Sequence, residues 1–114
     1  MSPRTEKERL EDILGRIARI KVAETALLEA ADDQEKAAVA FDAILYNLMV
    51  IGEAVKALGV ELKARNGKTP WKDVAGMRDI LTHHYFRVSG EVVMATVDKP
   101  LAELRDACKA ELDL

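Results

Sequence analysis

The two histidines of the chain, His83 and His84, are adjacent, and Arg78, Asp79 and Tyr85 fall with them inside one eight-residue stretch. Residues of these types can together handle a phosphodiester. Cleaving RNA through its own 2′-hydroxyl needs a proton acceptor, a proton donor and positive charge beside the phosphate. An imidazole titrating near ~6.5 can take either proton role, and a guanidinium fork matches phosphate oxygens. A tyrosine hydroxyl adds one more donor. No metal is needed, and the histidine pair could not chelate one ion, because adjacent side chains on a helix point about 100° apart. The same residues also read, more plainly, as the polar face of a helix. Elsewhere the sequence holds no Ser-His-Asp arrangement, P-loop or Gly-rich phosphate loop.

Spacing limits what one helix can do with these groups. Arg78 and Tyr85 are seven apart and nearly eclipsed, offset by about −20°, whereas His83 lies about 140° round the helix from Arg78. One straight helix therefore does not aim Arg78 and His83 at the same atom. Either the helix ends at the histidines, or a second copy of the chain brings its own motif across a symmetric interface, or both.

The elements that must hold this stretch read as helices. Ser2-Pro3 suits a helix start, and Thr5 with Glu8 fits a capping box. Leu10, Ile13, Leu14, Ile17 and Ile20 then follow helical spacing, to about Ala31. Asp32-Asp33-Gln34-Glu35 opens a second helix, predicted to run unbroken from Asp33 to Arg65 around a stripe that includes Phe41, Ile44, Leu48, Ile51, Val55 and Leu62. Gly52 and Gly59 lie inside it on one face; each costs about 1 kcal/mol relative to Ala and leaves room for a close neighbour. Asn66-Gly67-Lys68-Thr69-Pro70 is a loop, with Thr69 and Pro70 opening a short turn that carries Trp71 and Val74. A third helix is predicted over Ala75–Tyr85, ended by Ser89-Gly90. Val92–Val97 is rich in β-branched residues, yet a lone strand has no partner, so helix is the reading. Asp98-Lys99-Pro100 starts a last helix with Leu101, Leu104, Cys108 and Leu112 on one stripe. The expectation is a single all-α domain over residues 1–114: an up-and-down antiparallel bundle of four long helices plus short helical pieces.

Composition fits that architecture. In 114 residues, 49 % are hydrophobic, 32 % charged and only 4 % aromatic, so an ordered core has to be built from aliphatic side chains. Six glycines and three prolines are too few for the many turns of an all-β fold. Such a chain buries roughly 65 % of its unfolded surface, enough for one core. Cys108, the single cysteine, makes neither an internal disulfide nor a thiolate-rich metal site. No apolar stretch follows a basic start, and no run approaches the ~18 apolar residues of a membrane span, so a reduced, cytoplasmic protein without membrane contact is expected. The net charge of −3 does not advertise a nucleic-acid binder. Residues 61–90 nonetheless carry Lys63, Arg65, Lys68, Lys72, Arg78 and Arg87 against Glu61, Asp73 and Asp79, a local +3 that leaves −6 on the remainder and suits an anion.

Taken together, the motifs resemble a known family. Arg78, four residues, His83, one residue and Tyr85 match the Arg-x4-His-x-Tyr signature of HepT-like toxins, a branch of the HEPN ribonucleases. Ile51-Gly52-Glu53-Ala54 resembles the family's Gly-Glu-Ala stretch on its second long helix. Pro70-Trp71-Lys72-Asp73-Val74-Ala75-Gly76-Met77-Arg78 resembles its Pro-Trp-x-x-(Ile/Val)-x-Gly-x-Arg run. The likeness covers about residues 10–110. His84 stands where the family usually has Asp, and Met94 where it often has Trp; the signature favours His83 over His84. The resemblance implies a HEPN-like helical bundle that dimerises about a two-fold axis, with the two Arg/His motifs facing one cleft. It implies a metal-independent endoribonuclease needing no cofactor, with tRNA as target class. It also implies a minimal nucleotidyltransferase antitoxin (MntA-like) as partner, which transfers AMP to Tyr85.

Other residues carry two readings each. Glu53 either orients Arg78 or His83 or is a solvated or interface carboxylate; Asp79 either pairs with Arg78 or is an ordinary surface acid. Asn47 is a weaker candidate on a different face from Glu53. Lys72 and Arg87 can touch RNA phosphates or simply be solvated. Trp71 reads as a core or loop anchor rather than a base-stacking platform, and Met49, Met77 and Met94 as core or dimer face. Two functions from other classes remain open beside the nuclease. One is a non-catalytic helical module that partners a nucleotidyltransferase. The other is the nucleotide-binding half of a two-component nucleotide-transfer enzyme.

Overall fold

The computed structural model describes residues 3–84 and 87–113. These form six helices and no strand: α1 (Glu6–Ala30), α2 (Gln34–Ala57), α3 (Val60–Arg65), α4 (Trp71–His84), α5 (Gly90–Val97) and α6 (Lys99–Glu111). Four are long and two are short, and the bundle is all-α as the sequence predicts. Helices α1 and α2 form an antiparallel hairpin, α4 packs on the other side of α2, and α6 closes against α1, α4 and α5. Of the predicted helix start Ser2-Pro3, Ser2 lies outside the described residues.

The start of α1 is a capping box. Thr5 Oγ1 accepts from the Glu8 amide at 3.1 Å, and Glu8 Oε1 accepts from the Thr5 amide at 2.9 Å. Hydrogen bonding from Thr5, first from its backbone amide, favours the ionised form and holds the Glu8 carboxyl below its ordinary range. The chain reverses at Ala31, with φ of 48°, and the Asp33 side chain caps α2 by accepting from the Lys36 amide at 3.1 Å.

The second helix does not run unbroken to Arg65. It stops at Leu58, which turns extended with ψ of 146°, and Gly59 follows at ψ of 153°. Gly59 is therefore not a helix-interior residue with room for a neighbouring helix. Its amide donates to Glu6 Oε2 at 2.8 Å, so a carboxylate from the first turn of α1 takes the proton that a continuing helix would bond internally. Leu58 and Leu62, on either side of the break, both turn into the core. The break depends on a contact between residues 53 positions apart.

The third long helix starts at Trp71 rather than Ala75. The predicted short turn is its first turn, with the Pro70 carbonyl accepting from the Val74 amide at 3.2 Å. Trp71 anchors the preceding loop: its indole N–H donates to the Asn66 carbonyl at 3.0 Å while the ring is buried. Asn66 Nδ2 reaches the Leu62 carbonyl and Glu111 Oε1, both at 2.9 Å, tying the loop to the end of α6. Hydrogen bonds from Arg65 and then Asn66 hold the Glu111 carboxyl below its ordinary range.

The valine-rich segment is helical. Ser89 caps it by accepting from the Glu91 amide at 3.2 Å, and Val93 and Val97 are buried. The core otherwise joins Ile13, Ile17 and Ile20 of α1 to Ile44, Leu48, Ile51 and Val55 of α2, and to Val74, Met77 and Leu81 of α4. One amendment concerns α2: its best 18-residue window has a mean hydropathy of 1.6, so by length and composition this helix could cross a bilayer. Its stripe of Ile44, Leu48, Ile51 and Val55 is buried in the core, and 44 % of that window is buried in all.

Cys108 is fully enclosed by this core, and burial pushes its thiol up to about 12. The folded protein should therefore leave Cys108 unreacted with a thiol reagent at neutral pH, with full reaction only after denaturant is added; rapid labelling of the native protein would contradict the packing of α6.

Candidate active site

The site is built on the crossing of α2 and α4. Gly52 makes that crossing close: a methyl group placed on it would overlap Arg78 Cβ, lie 2.9 Å from Arg78 Cγ and 3.3 Å from the Val74 carbonyl oxygen. The absence of a side chain at Gly52 thus lets the stem of Arg78 lie across α2. The next residue of α2 meets the other end of that side chain, with Glu53 Oε2 2.7 Å from Arg78 NH2. Arg78 NH1 also donates to Asp79 Oδ1 at 3.2 Å, and Lys56 Nζ donates to the same oxygen at 2.7 Å. Charges alternate along Glu53, Arg78, Asp79 and Lys56, so the crossing carries no net charge. Hydrogen bonds from Lys56 and then Arg78 hold the Asp79 carboxyl below its ordinary range.

Arg78 is the sheltered member of this row, with 25 % of its side chain exposed against 65 % for Glu53. Ion pairs this wet contribute little stability, typically about 0–1 kcal/mol. What they fix is direction. The guanidinium borders an open cleft of about 340 Å³ whose other walls include Arg9 and Asp12 from α1 and Tyr46, Met49 and Glu53 from α2.

The histidines are elsewhere on the same helix. His83 and His84 are exposed at the end of α4, with ring centroids 6.5 Å apart and planes at 63°. Neither lines the Arg78 cleft. Within one copy the described residues thus bring together Arg78, Glu53 and Asp79, and they do not bring Arg78 to His83 or His84. That matches the angular offset read from the spacing. Tyr85 falls outside the described residues.

The positive zone expected over residues 61–90 is less available than a charge count suggests. Arg65 is paired with Glu111 at 3.1 Å and Arg78 with two carboxylates, while Lys72 is exposed on α4. Sequence reading missed two cations that other helices bring to this region: Arg9 from α1, which lines the cleft, and Lys56 from α2, which pairs with Asp79. A signal existed for Lys56, which sits three residues after Glu53 and so shares its helix face. Arg9 had none, because only the packing of α1 on α2 puts it there.

Among the described residues no group of three His, Cys, Asp or Glu side chains is placed to hold a metal ion.

Residues 10–111 match the model of the family described as HepT-like, Ribonuclease HepT-like. The chain belongs to the HepT-like family. It is 41 % identical over 78 residues to "Putative RNase TTE0752" of Caldanaerobacter subterraneus subsp. tengcongensis, covering 68 % of this chain and 70 % of that one. It is 36 % identical over 63 residues to "Probable ribonuclease HepT" of Thermococcus cleftensis, covering 55 % of this chain and 57 % of that one. No solved structure matches the chain.

The close crossing yields a direct prediction. Gly52→Ala forces Arg78 or α4 to move and should lower stability by about 1–3 kcal/mol, the ordinary cost of overpacking. A urea titration measures it, and an unchanged midpoint would mean that α2 and α4 are not this close.

Proposed function

We propose that this chain is a metal-independent endoribonuclease and the toxin of a toxin–antitoxin pair of the type II or VII kind. The 2′-oxygen of the RNA attacks the adjacent phosphorus and the 5′-oxygen leaves. Arg78 binds the phosphate oxygens and offsets the charge that grows on them. His83 moves protons between the attacking and leaving oxygens, and Tyr85 supports the site. Two copies related by a two-fold axis form the cleft, since the angular offset on α4 keeps Arg78 and His83 of one copy from sharing an atom. Glu53 and Asp79 orient Arg78, and His84 has a secondary part. The target class is tRNA, in the cytoplasm.

The observation that carries this reading is the setting of Arg78 in a chain of the HepT-like family. Its stem is held against Gly52, and its head is steered by two exposed carboxylates toward an open cleft. An arginine has five N–H donors, so these two pairs leave others for a phosphate. The same pairing also favours a second reading. An arginine already neutralised by Glu53 and Asp79 suits a non-catalytic module that meets a nucleotidyltransferase partner through this face.

The test is cleavage of bulk tRNA by the purified protein with EDTA present. The nuclease reading expects products ending in cyclic phosphate, and His83→Ala should lower the rate by about 10²-fold or more. Equal cleavage by both proteins removes His83 from the mechanism, and no cleavage by the wild type leaves the module.

Regulation follows from the same residues. A minimal nucleotidyltransferase antitoxin would transfer AMP from ATP to the Tyr85 oxygen with release of pyrophosphate, and the adenylate would fill the phosphate site beside Arg78. After co-expression with such a partner, intact mass should rise by one or more adenylates. Tyr85→Phe should abolish the gain; a gain that persists places the modification on another residue.

A further inference from the structure

Tyr46 is 58 % exposed although it sits near the middle of α2, between α1 and α4. It lines the cleft that ends at Arg78. It also lines a second depression, of about 310 Å³, that runs along α4 past Leu81 to Thr82, the residue before His83. One aromatic ring thus stands between two hollows that lead to the two separated parts of the candidate site.

The ring is backed by a charged neighbour. The Arg16 guanidinium carbon lies 5.6 Å from the Tyr46 centroid, within cation–π range. Arg16 NH1 donates to Asn47 Oδ1 at 3.3 Å, and Asn47 Nδ2 donates to the Ala43 carbonyl at 2.7 Å. Asn47 is 5 % exposed and is the one polar side chain in the buried set of the described residues. A buried amide is costly unless its hydrogen bonds are met. Here they are met by the α2 backbone and by Arg16, so the amide acts as a bracket for the cation.

The charges around the ring are of both signs, and Asp42, exposed on α2, lines the second depression beside it. Asp12, on the wall of the Arg78 cleft, already accepts from Arg4 Nε at 3.1 Å, and Glu53 is engaged by Arg78. Arg9 lines the same cleft, with no side-chain ion pair among the described residues. Arg9 and Arg16 thus set two guanidinium groups near the exposed ring, against the one carboxylate of Asp42.

We propose that Tyr46, backed by Arg16 and flanked by Arg9, is a stacking subsite for an unpaired nucleobase of the RNA strand whose phosphate Arg78 binds. The inference rests on the nuclease reading and adds a substrate requirement to it: the strand must be single, or looped, at this point. Every base has a π face that stacks on a tyrosine whatever its sequence, whereas bases inside a duplex already stack on one another. The Arg78 cleft lies at the small end of the roughly 300–1,000 Å³ of ligand pockets, a size suited to one nucleoside.

The experiment measures binding of a labelled single-stranded 2′-O-methyl oligoribonucleotide, which lacks the attacking hydroxyl and so is not cut. Tyr46→Ala should weaken binding by about tenfold or more, while Tyr46→Phe stays within about twofold of the wild type. Arg16→Gln should weaken it and flatten the salt dependence. Sedimentation of each variant reads subunit association in parallel. Unchanged affinity in Tyr46→Ala, or no binding by the wild type, overturns the proposal. A loss that appears only together with a change in sedimentation also overturns it, and makes this face a protein interface. Cleavage of natural RNA separates this proposal from the nuclease reading. A wild type that binds through Tyr46 yet never cuts keeps the subsite and loses the nuclease, and one that cuts equally well with Tyr46→Ala does the reverse.

Discussion

Everything at the candidate site hangs on one steric fact, the contact between the bare backbone of Gly52 and the stem of Arg78. Any larger residue at Gly52 would force Arg78 or α4 to move and so disturb the approach of the guanidinium to Glu53. The close crossing turns a flexible four-bond side chain into one with a fixed direction. That suits an arginine whose task is geometric, because the planar fork is useful only when it faces its ligand. The surrounding ion pairs add little stability and much orientation.

Electrostatics at the crossing are balanced rather than strongly positive. Glu53 and Asp79 face Arg78 and Lys56, so each cation at the crossing is already met by a carboxylate. Because both carboxylates are about half exposed or more, these pairs are weak and solvent-screened. The balance also explains how a chain with a net charge of −3 can belong to a family of ribonucleases.

The two halves of the motif lie apart along α4. Arg78 is anchored in the middle of the helix by α2, while His83 and His84 stand exposed at its end. Packing around Leu81, buried between them, fixes the helix and with it the angle separating the two groups. A rigid helix preserves such an offset instead of averaging it away.

Much of this was legible in the residue string. The capping box, the acidic cap at Asp33, the aliphatic stripes and the Arg78–Tyr85 motif are local patterns, and helical geometry converts local spacing directly into faces and ends. The same spacing showed that Arg78 and His83 diverge. Tertiary structure decided the rest. Glu6 reaches across from α1 to take the Gly59 amide and end α2, the depth of the α2–α4 crossing selects Glu53 as the partner of Arg78, and α1 brings Arg9 and Arg16 beside Tyr46. Each of these joins residues far apart in the chain, so no periodicity within one helix encodes it; only the mutual packing of helices sets which side chains meet.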